Sequence, residues 1–343
     1  MAWTDADAAL LRALRAQTQN SLGGVLSESR EVVLLDTPRH RNFGDSLIWA
    51  GEIAYLRRLG RRVTYSADIS SFRIEELDRR PDAMVAFHGG GNLGDLWPWH
   101  EKFRQQVVCA RPSRHYVILP QSAHFSDPSA ALIARAAYSR ATKLTIALRD
   151  QDSFTYIQNE WPEVSAVFMP DAALGWDVPP KPLGDGDREL LTLARNDVER
   201  TAADASAVLQ GAVEDWCASA GNDCAWRVLN RAMAFIDWPG HHLRSAAARP
   251  RRAMDQGLRL LNRAAAKAQL SGSAVVATNR LHAHIASSLL GIPNFVADNS
   301  YGKVSGVFEY TGRFSSARFC GSLEEANQAA KKYLQQRHPR SLS

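Results

Sequence analysis

An arginine and a histidine, two residues apart where an apolar run gives way to a helical pattern, are the side chains of this sequence best suited to chemistry on an anion. They stand in Val275-Val276-Ala277-Thr278-Asn279-Arg280-Leu281-His282-Ala283-His284-Ile285-Ala286. The apolar run stops near Thr278, and Leu281, Ile285, Ser288 and Leu289 then recur at helical spacing as a buried stripe. Arg280 and His282 fall in the first helical turn, where unpaired N–H groups and the positive end of the helix dipole favour phosphate or carboxylate. Arg280 adds a planar fork that can grip either group through two hydrogen bonds. His282 can donate to the anion or move a proton near neutral pH. A plain helix start, with a surface arginine and a capped histidine, has the same spacing. Zinc is disfavoured, because His282 and His284 would point roughly 200° apart on a helix.

Two further stretches follow apolar runs. In Phe87-His88-Gly89-Gly90-Gly91-Asn92-Leu93-Gly94-Asp95 the consecutive glycines let the backbone approach a ligand or turn sharply, and can offer N–H groups to an anion. A ligand-free β-to-α turn would look alike. Arg41-Asn42-Phe43-Gly44-Asp45-Ser46 lies between an expected strand and helix, so Asp45 or Ser46 can cap that helix. The functional alternative places Asn42 and Asp45 on a cleft rim, with Asp45 accepting a hydroxyl proton. Arg149, Arg195 and Lys303 neighbour expected strand ends and are candidate anion contacts, although each alone reads equally as a surface charge.

These stretches need a scaffold that gathers strand ends. Strand-like runs at 32–35, 63–65, 83–87, 116–119, 144–148 and 167–169 alternate with helical patterns at 46–59 and 99–109. Several end in polar or glycine-rich loops, as strands facing the crevice of a doubly wound sheet do. The first half is therefore Rossmann-like, but it lacks GxGxxG spacing, and no dinucleotide is inferred. At 343 residues and 45% hydrophobic, the chain exceeds a single core, and two domains are expected, 1–177 and 188–343. The Pro- and Gly-rich stretch 178–187 is the expected linker. A second α/β unit then runs through a strand at 190–194, a helix at 202–219, a strand at 274–277, a helix at 281–290 and a strand at 294–297. The last helix, 323–335, is expected to pack back on the first domain.

The net charge of +5 suits anionic substrates or an anionic membrane surface. Zinc-finger spacing and aromatic RNA-binding signatures are absent, so no nucleic-acid partner is expected. The four cysteines, Cys109, Cys217, Cys224 and Cys320, form no CxxC pair and no metal spacing. No run nears the ~20 apolar residues of a membrane span, and Asp5 and Asp7 stand where a signal peptide would be basic. A cytoplasmic protein is expected. Segment 226–267 breaks the α/β rhythm with many arginines among apolar residues and tryptophans. It reads either as solvated helices or as a peripheral contact with the inner face of a membrane.

Taken as an ordered set, Asn42-Phe43-Gly44-Asp45, His88-Gly89-Gly90-Gly91-Asn92 and Arg280-Leu281-His282 resemble the polysaccharide pyruvyl transferase family. Pro120-Gln121-Ser122, Leu148-Arg149-Asp150, Pro170-Asp171 and Gly291-Ile292-Pro293 extend the resemblance over most of the chain. It implies a GT-B-like α/β fold, with two Rossmann-like domains facing across a cleft, the second on the donor side. It implies phosphoenolpyruvate as donor, no cofactor, and a pyruvate ketal as product on a glycan acceptor, lipid-linked or free, in exopolysaccharide, capsule or cell-wall synthesis. By carry-over, Arg280, Leu281 and His282 bind the donor and assist the reaction. Arg149 and Arg195 match less distinctively. Asn42, His88, Gly89, Gly90 and Asn92 then line the cleft on the acceptor side, and no metal is needed. The rivals are a GT-B glycosyltransferase using a nucleotide sugar and a non-catalytic glycan-binding relative of the same fold.

Overall fold

The computed structural model describes residues 3–180, 188–194, 213–237, 248–298 and 302–337. Its strands form two sheets in which every pairing is parallel. The first contains β1 (Glu31–Leu35), β2 (Arg62–Ala67), β3 (Met84–Phe87), β4 (Gly90–Gly94), β5 (His115–His124), β6 (Lys143–Leu148) and β7 (Ser165–Phe168). Their order is β2-β1-β3-β5-β6-β7, with β4 pairing along the last part of β5 where β3 leaves off. The second contains β8 (Arg188–Leu193), β9 (Val213–Glu214), β10 (Ser273–Thr278), β11 (Asn294–Val296) and β12 (Ala317–Phe319), in the order β12-β11-β10-β8-β9. The apolar runs of β1 and β3 are buried on both faces, as central strands of covered parallel sheets must be.

Two expected elements differ. β5 runs straight through Pro120, where the sequence suggested that the strand stops. Its register with β6 slips between Ile118 and Gln121, so the proline sits at an irregularity where its missing N–H breaks no ladder. The helix expected at 202–219 falls partly outside the described residues. Its remainder is not helical, because Glu214 joins the sheet edge and its carbonyl accepts the Ala194 N–H.

Around the first sheet lie α1 (Asp5–Val25), α2 (Phe43–Arg58), α3 (Glu75–Asp78), α4 (Pro98–Ala110), α5 (Pro128–Tyr138) and α6 (Gln151–Glu160). Around the second lie α7 (Ala220–Asp237), α8 (Ala248–Ser271), α9 (Leu281–Leu290), α10 (Lys303–Thr311) and α11 (Leu323–Arg337). α2 is apolar nearly all round because it is enclosed. Leu47, Ile48 and Ala50 share a core with Leu281, Ile285 and Val304, while Trp49, Tyr55 and Leu56 pack with Val32, Leu34 and Val117 of the first sheet. One helix thus joins both cores, and its N-terminal turn is held where the halves meet.

α1 is the second tie. Leu14 packs in the core around the second sheet, and Leu22 and Leu26 in that of the first. Asp7 accepts the backbone N–H of Ser315 at 2.7 Å and its hydroxyl at 2.6 Å. The last helix does not play this part. α11 stays on its own sheet, where Ala326 and Ala330 pack with Val275, Ala277 and Phe295. Its stripe of small residues fits flat on strands, whereas the long apolar side chains of α1 reach two surfaces.

Within the arginine-rich stretch 226–267, residues 238–247 lie outside the described residues. The rest belongs to α7 and α8, which pack together, α8 also lying on α2. Arg259 is wholly buried, paired with Asp255 and stacked 4.5 Å over the Trp49 ring. It is part of the packing rather than a surface cover. Among the described residues, no helix is long and apolar enough to cross a membrane.

Candidate active site

Both sheets turn the carboxyl ends of strands toward one cleft of about 410 Å³, the position where open α/β sheets bind ligands. Asp36 directly follows β1, His88 follows β3, Arg149 follows β6, Asp215 follows β9, and Arg280 lies two residues past β10. All five line the cleft.

One end of the cleft is cationic. Arg149 is sealed from solvent, its Nε donating to Ser122 Oγ at 2.9 Å and its Nη1 to Asp171 Oδ2 at 2.8 Å. Burial alone would raise the Asp171 carboxyl, but the charge of Arg149 and the nearby His282 ring hold it far below the usual carboxylate range. The remaining edge of Arg149 meets a second cation from the other half. A Cβ on Gly91 would lie 3.1 Å from both Arg149 Nη2 and Lys303 Nζ, so two buried cations converge on that bare Cα. Lys303 opens α10 after Gly302, whose φ of 79° turns the chain. The N-terminus of α9 faces the same space and has no side-chain cap among the described residues, which leaves first-turn N–H groups for an anion. Arg280 forms its N-cap residue, held by a bond from its backbone N–H to Thr278 Oγ1 (2.9 Å) and an ion pair with Asp215.

His282 lies between this end and α2. Its Nε2 is 3.5 Å from Asp171 Oδ2. Its other edge rests on Gly44, where a Cβ would come within 2.5 Å of Nδ1, so only glycine at 44 admits the ring. His284 points the opposite way, as the spacing requires. Its ring nitrogens lie 2.7 Å from Asn294 Oδ1 and 2.7 Å from Thr311 Oγ1, and burial lowers its pKa to about 4, making it a neutral core strut.

The other end of the cleft mixes carboxylates and imidazoles. Asn42 caps α2 through the Gly44 N–H (3.1 Å) and donates to Asp45 Oδ2 (2.9 Å). His40 Nε2 lies 3.4 Å from the same oxygen. Burial would raise the Asp45 carboxyl, but the positive potential of His40, His282, His88 and Lys303 outweighs it and holds the group ionised. His40 keeps 47% of its side chain accessible, but that access is to the cleft it lines. Protein on its other sides lowers its pKa, against the pull of Asp45. Its Nδ1 accepts the Asn42 N–H at 3.3 Å, which places the ring proton on Nε2 toward Asp45. His88 is the converse. Burial would lower its pKa, but Glu52, 2.7 Å from Nδ1, together with Asp45 and Asp36, raises it, and its buried Nε2 has no partner among the described residues.

A buried polar frame fixes this end. Asp36 has φ of 60°, the only positive value on a non-glycine among the described residues and a costly one held by its surroundings. Its carboxylate meets His100 Nδ1 at 2.7 Å and Arg104 Nη1 at 3.1 Å. Arg104 also donates to Asn92 Oδ1 at 2.8 Å, and Gln121 links that oxygen (2.8 Å) to the His88 carbonyl (2.9 Å).

Of the residues singled out in the sequence, Asn42, Asp45, His88, Asn92, Arg149, Arg280, Leu281, His282 and Lys303 all line the one cleft. Arg195 lies outside the described residues. Gly89 and Gly90 are not among the residues lining the cleft. The Gly89 N–H is taken by Glu52 Oε1 at 2.7 Å, a Cβ there would strike Pro120 O, and Gly90 begins β4; Gly91 is the glycine that faces the cations. Sequence reading missed Asp36, His40, His100 and Asp215, and marked Asp171 only as part of a motif, not as a partner of Arg149. Asp36 carried a usable signal, as the first polar residue after an apolar strand. The others depend on contacts across the fold.

Comparison with known proteins bears on what this cleft is for. The sequence profile of the polysaccharide pyruvyl transferase family matches residues 42–301, which contain the Asn42–Asp45, His88–Asn92 and Arg280–His282 segments. EpsO of Bacillus subtilis (strain 168) is 30% identical over 300 residues, covering 85% of this chain and 88% of that protein. Pyruvyl transferase 1 of Schizosaccharomyces pombe is 29% identical over 291 residues, covering 80% of this chain and 68% of its own. General stress protein 30 of B. subtilis is 28% identical, covering 81% and 77%. A solved structure of an uncharacterised Klebsiella pneumoniae protein shares the fold, with a TM-score of 0.57 at 18% identity, covering 90% of this chain and 99% of that one. With its profile match spanning the three motifs that line the cleft, this chain belongs to the polysaccharide pyruvyl transferase family, a family of transferases.

Proposed function

We propose that the protein moves pyruvate from phosphoenolpyruvate onto two hydroxyls of one sugar in a surface polysaccharide or its lipid-linked precursor, and that its halves are Rossmann-like domains in a GT-B-like arrangement. The observation that carries this reading is the convergence of Arg149 and Lys303, from opposite halves, on Gly91 beside the uncapped helix of Arg280. A compact donor bearing a phosphate and a carboxylate matches that concentration of positive charge.

In this scheme Arg149, Lys303 and Arg280 hold the donor's two anionic groups. His282 gives a proton to the methylene carbon, and positive charge develops at C2. An acceptor hydroxyl adds to C2 and loses its proton to Asp45. The bond from C2 to the phosphate oxygen breaks, and the second hydroxyl closes the ketal. Overall, one hydroxyl proton ends in the new methyl group and the other on phosphate, with no change of oxidation state to balance. Asp45, held ionised, is a weak base, but a hydroxyl already bonded to an electron-poor carbon is acidic enough to need no stronger one. Fixed cations and held reactants supply most of the acceleration. The exposed face of α7, with Arg227, Val228, Arg231 and Phe235, suits an acceptor presented at a membrane surface.

Thermal unfolding tests the donor. Phosphoenolpyruvate at a hundred times its Kd should add about 2.7 kcal/mol of stability, and Arg280→Ala should abolish the shift. Stabilisation by a nucleoside diphosphate and not by phosphoenolpyruvate would overturn the reading in favour of a sugar-nucleotide transferase.

A further inference from the structure

The part of the cleft that the donor scheme leaves unused is aromatic. Trp97 and Trp99 line it together, their rings edge to face at 5.9 Å, and Trp99 is 57% exposed. Two tryptophans side by side on the wall of a cleft form an apolar patch rimmed by polar groups, as binding surfaces do. The pair is rigidly mounted. Pro98 between them is the first residue of α4, with its φ fixed by the ring. His100, next in the chain, is clamped to the buried Asp36 carboxylate. That bond holds the ring by Nδ1, so that Nε2 is the nitrogen left to meet a ligand, in a residue that itself lines the cleft.

We infer that Trp97, Trp99 and His100 form a carbohydrate subsite. The apolar C–H face of a pyranose stacks on Trp99, Trp97 limits how far the ring can slide, and His100 Nε2 hydrogen-bonds a sugar hydroxyl. An apolar plate with one oriented polar atom at its edge matches a sugar, which has an apolar face and a polar rim. It does not match a phosphate, for which the converging Arg149 and Lys303 offer the better site. The subsite rests on the proposed transfer to a glycan and gives that reading a specificity determinant. Asp36, whose strained backbone brings its carboxylate to His100, acts as a positioning residue.

Saturation-transfer NMR with methyl β-D-glucopyranoside, methyl β-D-galactopyranoside and methyl α-D-mannopyranoside tests this directly. At least one glycoside should bind the wild-type protein. Its affinity should fall about tenfold in Trp99→Ala, the scale of one aromatic stacking contact, and be largely kept in Trp99→Phe. The thermal shift given by phosphoenolpyruvate should be the same in all three proteins, and the exposure of Trp99 means that folding is not at stake. Equal affinity in Trp99→Ala, or no binding by any of the three glycosides, overturns the subsite. The donor reading fails separately, through absence of the phosphoenolpyruvate shift in the wild-type protein.

Discussion

His282→Gln is expected to lower pyruvyl transfer by about 10²- to 10⁴-fold, the usual worth of a positioned general acid, while phosphoenolpyruvate still binds. Glutamine keeps a hydrogen-bond donor of similar reach but cannot release a proton at neutral pH. The anion contacts proposed for Arg149, Lys303, Arg280 and the α9 N-terminus are all left in place by the substitution. Single-turnover phosphate release and a donor titration separate the two effects. Gly44→Ala is an independent check. Its added Cβ would meet Nδ1 of His282 at 2.5 Å and push the ring aside, so it should impair transfer without touching the charged groups. Transfer at the wild-type rate in His282→Gln would remove the acid role.

Arg149→Leu should be the most destabilising change in the cleft. It strands the Asp171 carboxylate, wholly buried and held ionised chiefly by that arginine. Breaking a buried pair from one side costs about 3–5 kcal/mol, whereas removing both charges is often close to neutral. The double variant Arg149→Leu/Asp171→Asn should therefore recover most of the stability in urea unfolding, since asparagine can still cap Ala173, whose N–H meets Asp171 Oδ1 at 2.8 Å. It should not recover phosphoenolpyruvate binding, because one of the two cations over Gly91 is gone. Recovery of binding along with stability would make Arg149 a purely structural residue.

Legibility in the sequence follows the range of the interactions concerned. β1, β3 and β6 announce themselves as short apolar runs, and the start of α9 is set by local periodicity, so Arg280 and His282 are found by their place at a helix start. Asp45, Asn42 and His88 follow from the same logic. What stays hidden is set by partners distant in sequence. Nothing near Asp171 shows that Arg149 and His282 will frame it, and nothing near Gly91 shows which glycine of three will face cations. Arg259 looks like a solvated charge until Asp255 and the Trp49 ring enclose it. Amphipathicity says that a face of the last helix is buried, not against what; α11 packs on its own sheet, and α1 links the halves.

Transfer from phosphoenolpyruvate to an accepting hexopyranoside in D2O tests the central claim, that this cleft protonates an enol carbon and forms a ketal. The account predicts one solvent deuterium in each new methyl group and one phosphate released per ketal, both lost in His282→Gln. A product that keeps the carbon–carbon double bond, or phosphate release without deuterium entering the transferred group, would contradict it.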